Sequence, residues 1–348
     1  MIEDVRKFTD EVAGKSDMGN KDLFDGIRGK KEICNNYEYL KLIPRYYGSQ
    51  NKDKTIYYIC EDSGDIGFFA MYRYWLEYLY FADVCGYYPV ICTGNAFAYK
   101  EKECVVGTSN PFEYYFVQPA GVELEQVKRS SKVIGSDSLH RIIVELVFTG
   151  KFGNYKYTQN YLKAMGTMAR KYLKFNDTTQ KYICKGLKQL GFESERVLGV
   201  HIRGTDFKIG FNNHPVCVMA EDCFLVIDKI LQEKQYHKIF VATDDKRILN
   251  QFLQKYGNQM CCYNDVFRND RNKSVIFEKS ERNRHKYRLG LEVLRDMYTL
   301  AMCDGLVAGI SQVAVCAQIN KLSTGEKYED LKIINKGIYR NCREFRRW

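Results

Sequence analysis

The hexapeptide His201-Ile202-Arg203-Gly204-Thr205-Asp206 places a forked cation, a hydroxyl and a carboxylate directly after an apolar run. An arginine at a strand's carboxyl end can fork onto a phosphate or pyrophosphate, which is chemistry that a lysine point charge does less well. Thr205 and Asp206 would then fix the loop or hold Arg203; an ordinary turn closed by an Arg203–Asp206 ion pair fits the same letters. Thr243-Asp244-Asp245 is an adjacent acidic pair that reads either as a divalent-cation site or as a helix cap, and caps are the commoner use. We favour the cap, with Thr243 or Asp244 touching a ligand. Ser311-Gln312 stands where a helix begins, suited to a phosphate or to a plain serine cap. Asp296 falls within a helical pattern where a solvated acid would be unremarkable. Gly64 and Gly67 form only a fragment of a glycine loop, and neither a GxxxxGK[ST] loop nor an HExxH motif occurs.

These residues need elements to hold them. Apolar runs at 197–202, 239–242, 260–263 and 306–308 alternate with helical patterns at about 220–234, up to 256, and at 290–302, before a final helix. That alternation predicts a doubly wound α/β domain with a parallel sheet. Ligands of such domains lie outside the carboxyl ends of the strands, where 201–206, 243–245 and 309–312 all fall. The first half gives strand 55–60, a glycine turn, a helix from Phe68 stopped by Gly86, and strand 88–92. Residues 154–190 read as helical, with Asn176 or Asp177 as a cap. The aromatic clusters 72–75 and 112–116 suit helix packing better than a sugar platform. With five prolines and none after Pro215, no linker marks a boundary. We place it near residue 160, giving an acceptor-side domain over 1–160 and a donor domain over 161–348.

The 348 residues, 45% hydrophobic and 28% charged, have the balance of a folded globular protein. The longest apolar stretch is broken by Arg73, Glu77 and Asp83, so a spanning helix is not expected, and the acids of Met1-Ile2-Glu3-Asp4 do not suit a secretory signal. The expected location is cytoplasmic. Thirteen cysteines without a CxxC spacing read as reduced, with Cys60, Cys184, Cys303 and Cys316 as small buried hydrophobes. The net charge of +10 resides in two segments, 268–288 and 331–348, each carrying +5. They imply an anionic partner; nucleic acid is disfavoured for want of any matching motif, and a tail contact with an anionic membrane surface is one use.

Taken together, the His-x-Arg-x-Thr-Asp loop, Lys208-Ile209-Gly210, His214-Pro215, Ala242 to Asp245, Asp296 and Ser311-Gln312 resemble the fucosyltransferase superfamily over residues 197–320. The likeness is to the α1,6-fucosyltransferases of the nodulation-factor and N-glycan-core type and their bacterial relatives. It implies a GT-B-like fold: two Rossmann-like, doubly wound α/β domains facing a central crevice, with the donor in the C-terminal one. By the same resemblance Arg203 holds the donor β-phosphate, His201 and Asp296 lie against guanine, Ser311 and Gln312 bind phosphates, and Thr243 and Asp244 lie near the donor. Arg203, Asp206, Lys208 and His214 are the catalytic candidates. Two departures stand out. The second arginine of many members is Gly204 here, and the glutamate thought to act as base is replaced by Phe211, Asn212 and Asn213. Asp206, His214 and Asp65 remain as candidate bases. The implied activity is inverting, metal-independent transfer of fucose from GDP-fucose to a carbohydrate acceptor, without a cofactor. The rival is a non-catalytic nucleotide-sugar or glycan-binding protein on the same fold.

Overall fold

The computed structural model describes residues 41–64, 66–149, 157–192 and 195–340, the side chains of Asp206 and Phe207 excepted. Met1–Asp4, Asp65, the side chain of Asp206 and the last residues of the basic tail lie outside that description.

Packing divides the chain into two units interleaved in sequence, where the sequence reading had a single boundary near residue 160. Among the described residues the first takes 41–62, 71–94 and 117–174, and the second takes 63–70, 95–116 and 175–340. In the first unit three parallel strands lie in the order β2-β1-β3: β1 (Ile56–Glu61), β2 (Tyr88–Thr93) and β3 (Val133–Gly135). Helix α1 (Phe68–Cys85) links β1 to β2, a crossover of the kind parallel neighbours require. The short α2 (Leu124–Val127) and then α3 (Ser138–Thr149) and α4 (Gln159–Tyr172) follow; α3 and β3 were not read from the sequence. Within this unit the buried Glu77 carboxylate accepts from Tyr161 Oη (2.7 Å) and pairs with Arg73, so these two α1 charges serve the interior.

The second unit carries a five-stranded parallel sheet in the order β6-β5-β4-β7-β8. Its strands are β4 (Val197–Ile202), β5 (Lys238–Thr243), β6 (Met260–Cys261), β7 (Gly305–Gly309) and β8 (Asp330–Ile334), the last unforeseen. Helices α5 (Asp177–Leu190), α6 (Ala220–Glu233), α7 (Lys246–Tyr256), α8 (His285–Met302) and α9 (Gln312–Ser323) complete it. Every residue of β4 and β7 is buried, which explains why these strands read as unbroken apolar runs and not as alternation. Leu198, Val200, Ile202, Ile239, Val241 and Val307 pack one sheet face against Ile227, Ile248 and Phe252 of α6 and α7. At about 1.5–3 kcal/mol per fully buried large aliphatic side chain, this layer is the main stabilising term for the unit. Asn176 caps α5, its side chain accepting from Thr179 N at 2.9 Å, as its sequence position suggested.

The chain builds outward from β4 to β5 and β6, then returns to place β7 on the other side of β4. The sheet order reverses between β4 and β7, and such a reversal leaves a crevice at the carboxyl ends of the two strands. Of the four cysteines read as buried, Cys303 and Cys316 are, whereas Cys60 and Cys184 are exposed; the eleven described cysteines are all free thiols. Among the described residues no helix is long and apolar enough to cross a membrane.

Candidate active site

His201 is the polar exception in an apolar strand. Its Nδ1 lies 3.1 Å from the Ala242 carbonyl on β5, and a carbonyl only accepts, so Nδ1 carries the proton. That leaves Nε2 as an acceptor, and it is buried without a partner. Burial first, then the charge of Arg203, pushes the imidazole down to about 4, so it is neutral at physiological pH. Arg203, two residues on, is half-buried, and its Nη1 lies 3.8 Å from where a Cβ on Gly67 would stand.

Past Arg203 the backbone is under strain. Thr205 has φ +33°, a region that β-branched residues rarely enter. Asp244 holds it there: Oδ1 accepts from Gly204 N (2.9 Å) and Oδ2 from the Thr205 hydroxyl (2.7 Å). Such outliers persist only where surrounding bonds over-determine them, and they cluster at functional sites. The two acids of the Thr-Asp-Asp run therefore divide their work. Asp244 braces the arginine loop, and Asp245 is the cap of α7, accepting from Arg247 N at 2.8 Å. Fully buried Asp245 also takes Arg247 Nη2 (2.7 Å) and Lys208 Nζ (2.8 Å), which hold its carboxyl well below the usual range against the cost of burial. The Lys208 ammonium is thus engaged in an ion pair inside the loop. The Thr243 hydroxyl accepts from Asp245 N at 3.3 Å.

The missing second arginine has a steric reason. A Cβ on Gly204 would lie 2.3 Å from Asp245 Cβ, so no side chain fits while the cap stays in place. Gly204→Ala is expected to lower stability by about 1–3 kcal/mol, the usual cost of overpacking. Gly204→Arg should fare no better and gain no activity, and a melting curve beside an activity assay checks both.

Helix α8 forms another wall. It begins at His285, earlier than its expected start at Gly290. Asp296 is 7% exposed, not a solvated acid, and its Oδ1 has no partner. Burial pushes its carboxyl up to about 7 against the pull of Arg268 and Arg295. One turn earlier, Glu292 accepts from Phe267 N (3.1 Å) and pairs with Arg282; burial raises its pKa also.

Several of these groups line one open cavity. Of the residues singled out from the sequence, His201, Arg203, Thr243, Asp244 and Asp296 face it together. Lys208, His214, Ser311 and Gln312 do not line it. The His214 ring packs on Phe211 (centroids 5.8 Å apart), and its carbonyl accepts from Tyr339 N. Ser311 caps α9, accepting from Ala314 N at 3.1 Å, and Val313 just after it reaches the cavity. Tyr99, Phe267, Val275 and Glu292 line it as well and were missed. The basic segment supplies Ser274 and Val275 to this wall, a folded role for what looked like a charged surface run. Among the described residues, no group of three or more His, Cys, Asp or Glu side chains is arranged to hold a metal.

Residues 159–324, which contain all of these β4, β5, α8 and β7 groups, match the profile of the alpha-(1,6)-fucosyltransferase N- and catalytic domains. Over these residues, just under half of the chain, it resembles that fucosyltransferase domain. Its two sheets are parallel, the pattern of the α/β class. No curated protein matches the chain in sequence. Similar solved structures include the NodZ alpha-1,6-fucosyltransferase soaked with GDP-fucose, at 15% identity and TM-score 0.46, covering 75% of this chain and 91% of that one. NodZ from Bradyrhizobium gives 15% and 0.44, with 77% and 93% covered. POFUT1 in complex with GDP-fucose gives 11% and 0.42, with 84% and 100% covered. The cavity lined by His201, Arg203, Ala242 and Thr243 lies at the carboxyl ends of β4 and β5, where the β4–β7 reversal leaves a crevice.

Proposed function

We propose that this protein transfers fucose from GDP-fucose to a carbohydrate acceptor, with inversion and without a metal. The donor lies in the second unit. One observation carries the reading: the cavity presents two buried acceptors without partners, Asp296 Oδ1 and His201 Nε2, beside an arginine at the end of β4. Guanine offers adjacent N1–H and 2-amino donors to a carboxylate, an arrangement uracil and adenine lack. Arg203 then meets the pyrophosphate, whose negative charge grows as the glycosidic bond breaks. The proton of the acceptor hydroxyl must go to a base; Asp206, His214 and Asp65 are the candidates, and substitution of each beside a labelled-transfer assay identifies it.

Titration with GDP, UDP and ADP tests the donor assignment. Leaving the buried carboxylate unpaired costs on the order of 1–3 kcal/mol, so GDP should bind at least about fivefold tighter than the others; equal affinities refute it. The absent family glutamate favours a second reading, a binder that retains the fold without turnover. Incubation with labelled GDP-fucose and a glycan panel separates the two. Metal independence rests on the engagement of Asp244 and Asp245 by loop and cap donors, since a bound divalent cation wants several oxygen ligands. Turnover should persist in excess EDTA. Loss by chelation with rescue by manganese would instead make Asp244 a ligand.

A further inference from the structure

Arg268 is a buried arginine, 6% exposed, that neither the sequence pattern nor the proposed reaction accounts for. Its guanidinium is pinned at the sheet's carboxyl edge: Nε donates to the Thr243 carbonyl (3.0 Å) and Nη1 to the Tyr263 carbonyl (2.9 Å). Its Nη2 is buried with no partner. A buried unsatisfied guanidinium N–H is costly, and its retention asks for an explanation. The complementary unsatisfied atom is Asp296 Oδ1, and Arg268 is the leading favourable charge on that carboxyl. The other charged groups around Asp296 are committed elsewhere. Arg295 gives both terminal nitrogens to Asp265 and stacks on Tyr263, and Glu292 is held by Arg282. His201, from the end of β4, stays neutral.

We infer that Arg268 is a positioning residue for the donor base, its Nη2 sharing the Asp296 carboxylate with the guanine edge so that the carboxylate stays ionised and turned towards that edge. The inference rests on the donor assignment made above. It differs from a purely structural role in one respect. An arginine that merely ties Thr243 to Tyr263 supports binding equally at every pH, whereas one that keeps Asp296 charged acts most where that carboxyl takes up its proton.

The experiment is the affinity for GDP-fucose from pH 5.5 to 9 in the wild type, Arg268→Met and Arg268→Lys, with a melting curve for each. In the wild type, affinity falls below about pH 7. In Arg268→Met the midpoint should rise by about one unit or more, with affinity roughly tenfold weaker at pH 7 and recovering at pH 9. Arg268→Lys keeps the charge and should leave the midpoint near the wild-type value. An unchanged midpoint in Arg268→Met, or a loss equal across the range, overturns the inference. If Arg268→Met does not fold, neutral Arg268→Gln is compared with Arg268→Lys on the same criterion. Because Glu292 also titrates high, Asp296→Asn identifies the carboxyl: it must flatten the profile. A wild type that binds GDP-fucose no better than a UDP-sugar fails before any variant is made, and refutes the donor assignment together with this inference.

Discussion

Arg203→Lys should lose nearly as much turnover as Arg203→Ala, about 10²–10³-fold for each, while both proteins melt close to the wild type. The reason lies in when the side chain is needed. Charge on the β-phosphate increases as the sugar departs, so a preorganised guanidinium there stabilises the transition state beyond the ground state. Lysine keeps the charge but gives up the two parallel N–H donors that match a phosphate. Stability should be spared because the loop has its own supports: Asp244 holds Gly204 and Thr205, and Lys208 and Arg247 hold Asp245. Saturating-donor kinetics beside thermal unfolding decides the matter. A folded Arg203→Ala protein with full activity would remove Arg203 from the mechanism.

Donor affinity should fall steeply on acidification, starting near pH 7. A guanine edge offers N–H groups, and only a carboxylate can accept both. In the unliganded protein Asp296 has been pushed up to about 7 by burial, so lowering the pH fills that site with a proton that must leave before the base binds. The sign is fixed: above pH 7 binding is at its plateau, and well below it affinity drops about tenfold per unit. His201 does not mask the effect, because it titrates near 4. A GDP-sugar is the right probe, since its esterified pyrophosphate does not change charge in that range. Asp296→Asn should bind weakly at all pH values with no step near 7. A wild-type profile that is flat from pH 5.5 to 9 would take Asp296 out of the base pocket.

Much of the second unit was legible because its central strands are buried on both faces. Val197–Ile202 and Gly305–Gly309 read as continuous apolar runs, and polar residues just beyond such runs have only one end of the sheet to occupy. His201, Arg203, Thr243, Asp244 and Asp296 follow from that rule and from the likeness of their spacing. What escaped has a common cause. The strain at Thr205 depends on Asp244, which lies 39 residues away, and the fit of Gly204 depends on Asp245. Arg268 looked like one more cation in a basic run, because burial is not written in residue type. Tyr99 reaches the cavity from a segment whose local pattern assigns it nowhere in particular, and β8 is a half-exposed edge strand without the apolar signal of its neighbours.

The interleaving of the two units sets a constraint on the order in which the molecule can be made. Residues 63–70 and 95–116 leave the ribosome early, yet their partners come late: Glu101 accepts from Tyr287 N at 2.9 Å, and the Tyr115 hydroxyl donates to the Tyr287 carbonyl at 3.2 Å. The Cys316 thiol donates to the Phe69 carbonyl across 247 residues of chain. At about 5–20 residues per second, Phe69 waits roughly 12–50 s during synthesis for Cys316, and Tyr115 roughly 9–34 s for Tyr287. Those intervals expose aromatic surface on a nascent chain, and a chaperone bound there would protect yield without touching the finished protein. For the same reason, a fragment started at Phe175 would hold all five strands of the second sheet and still lack part of its own interior.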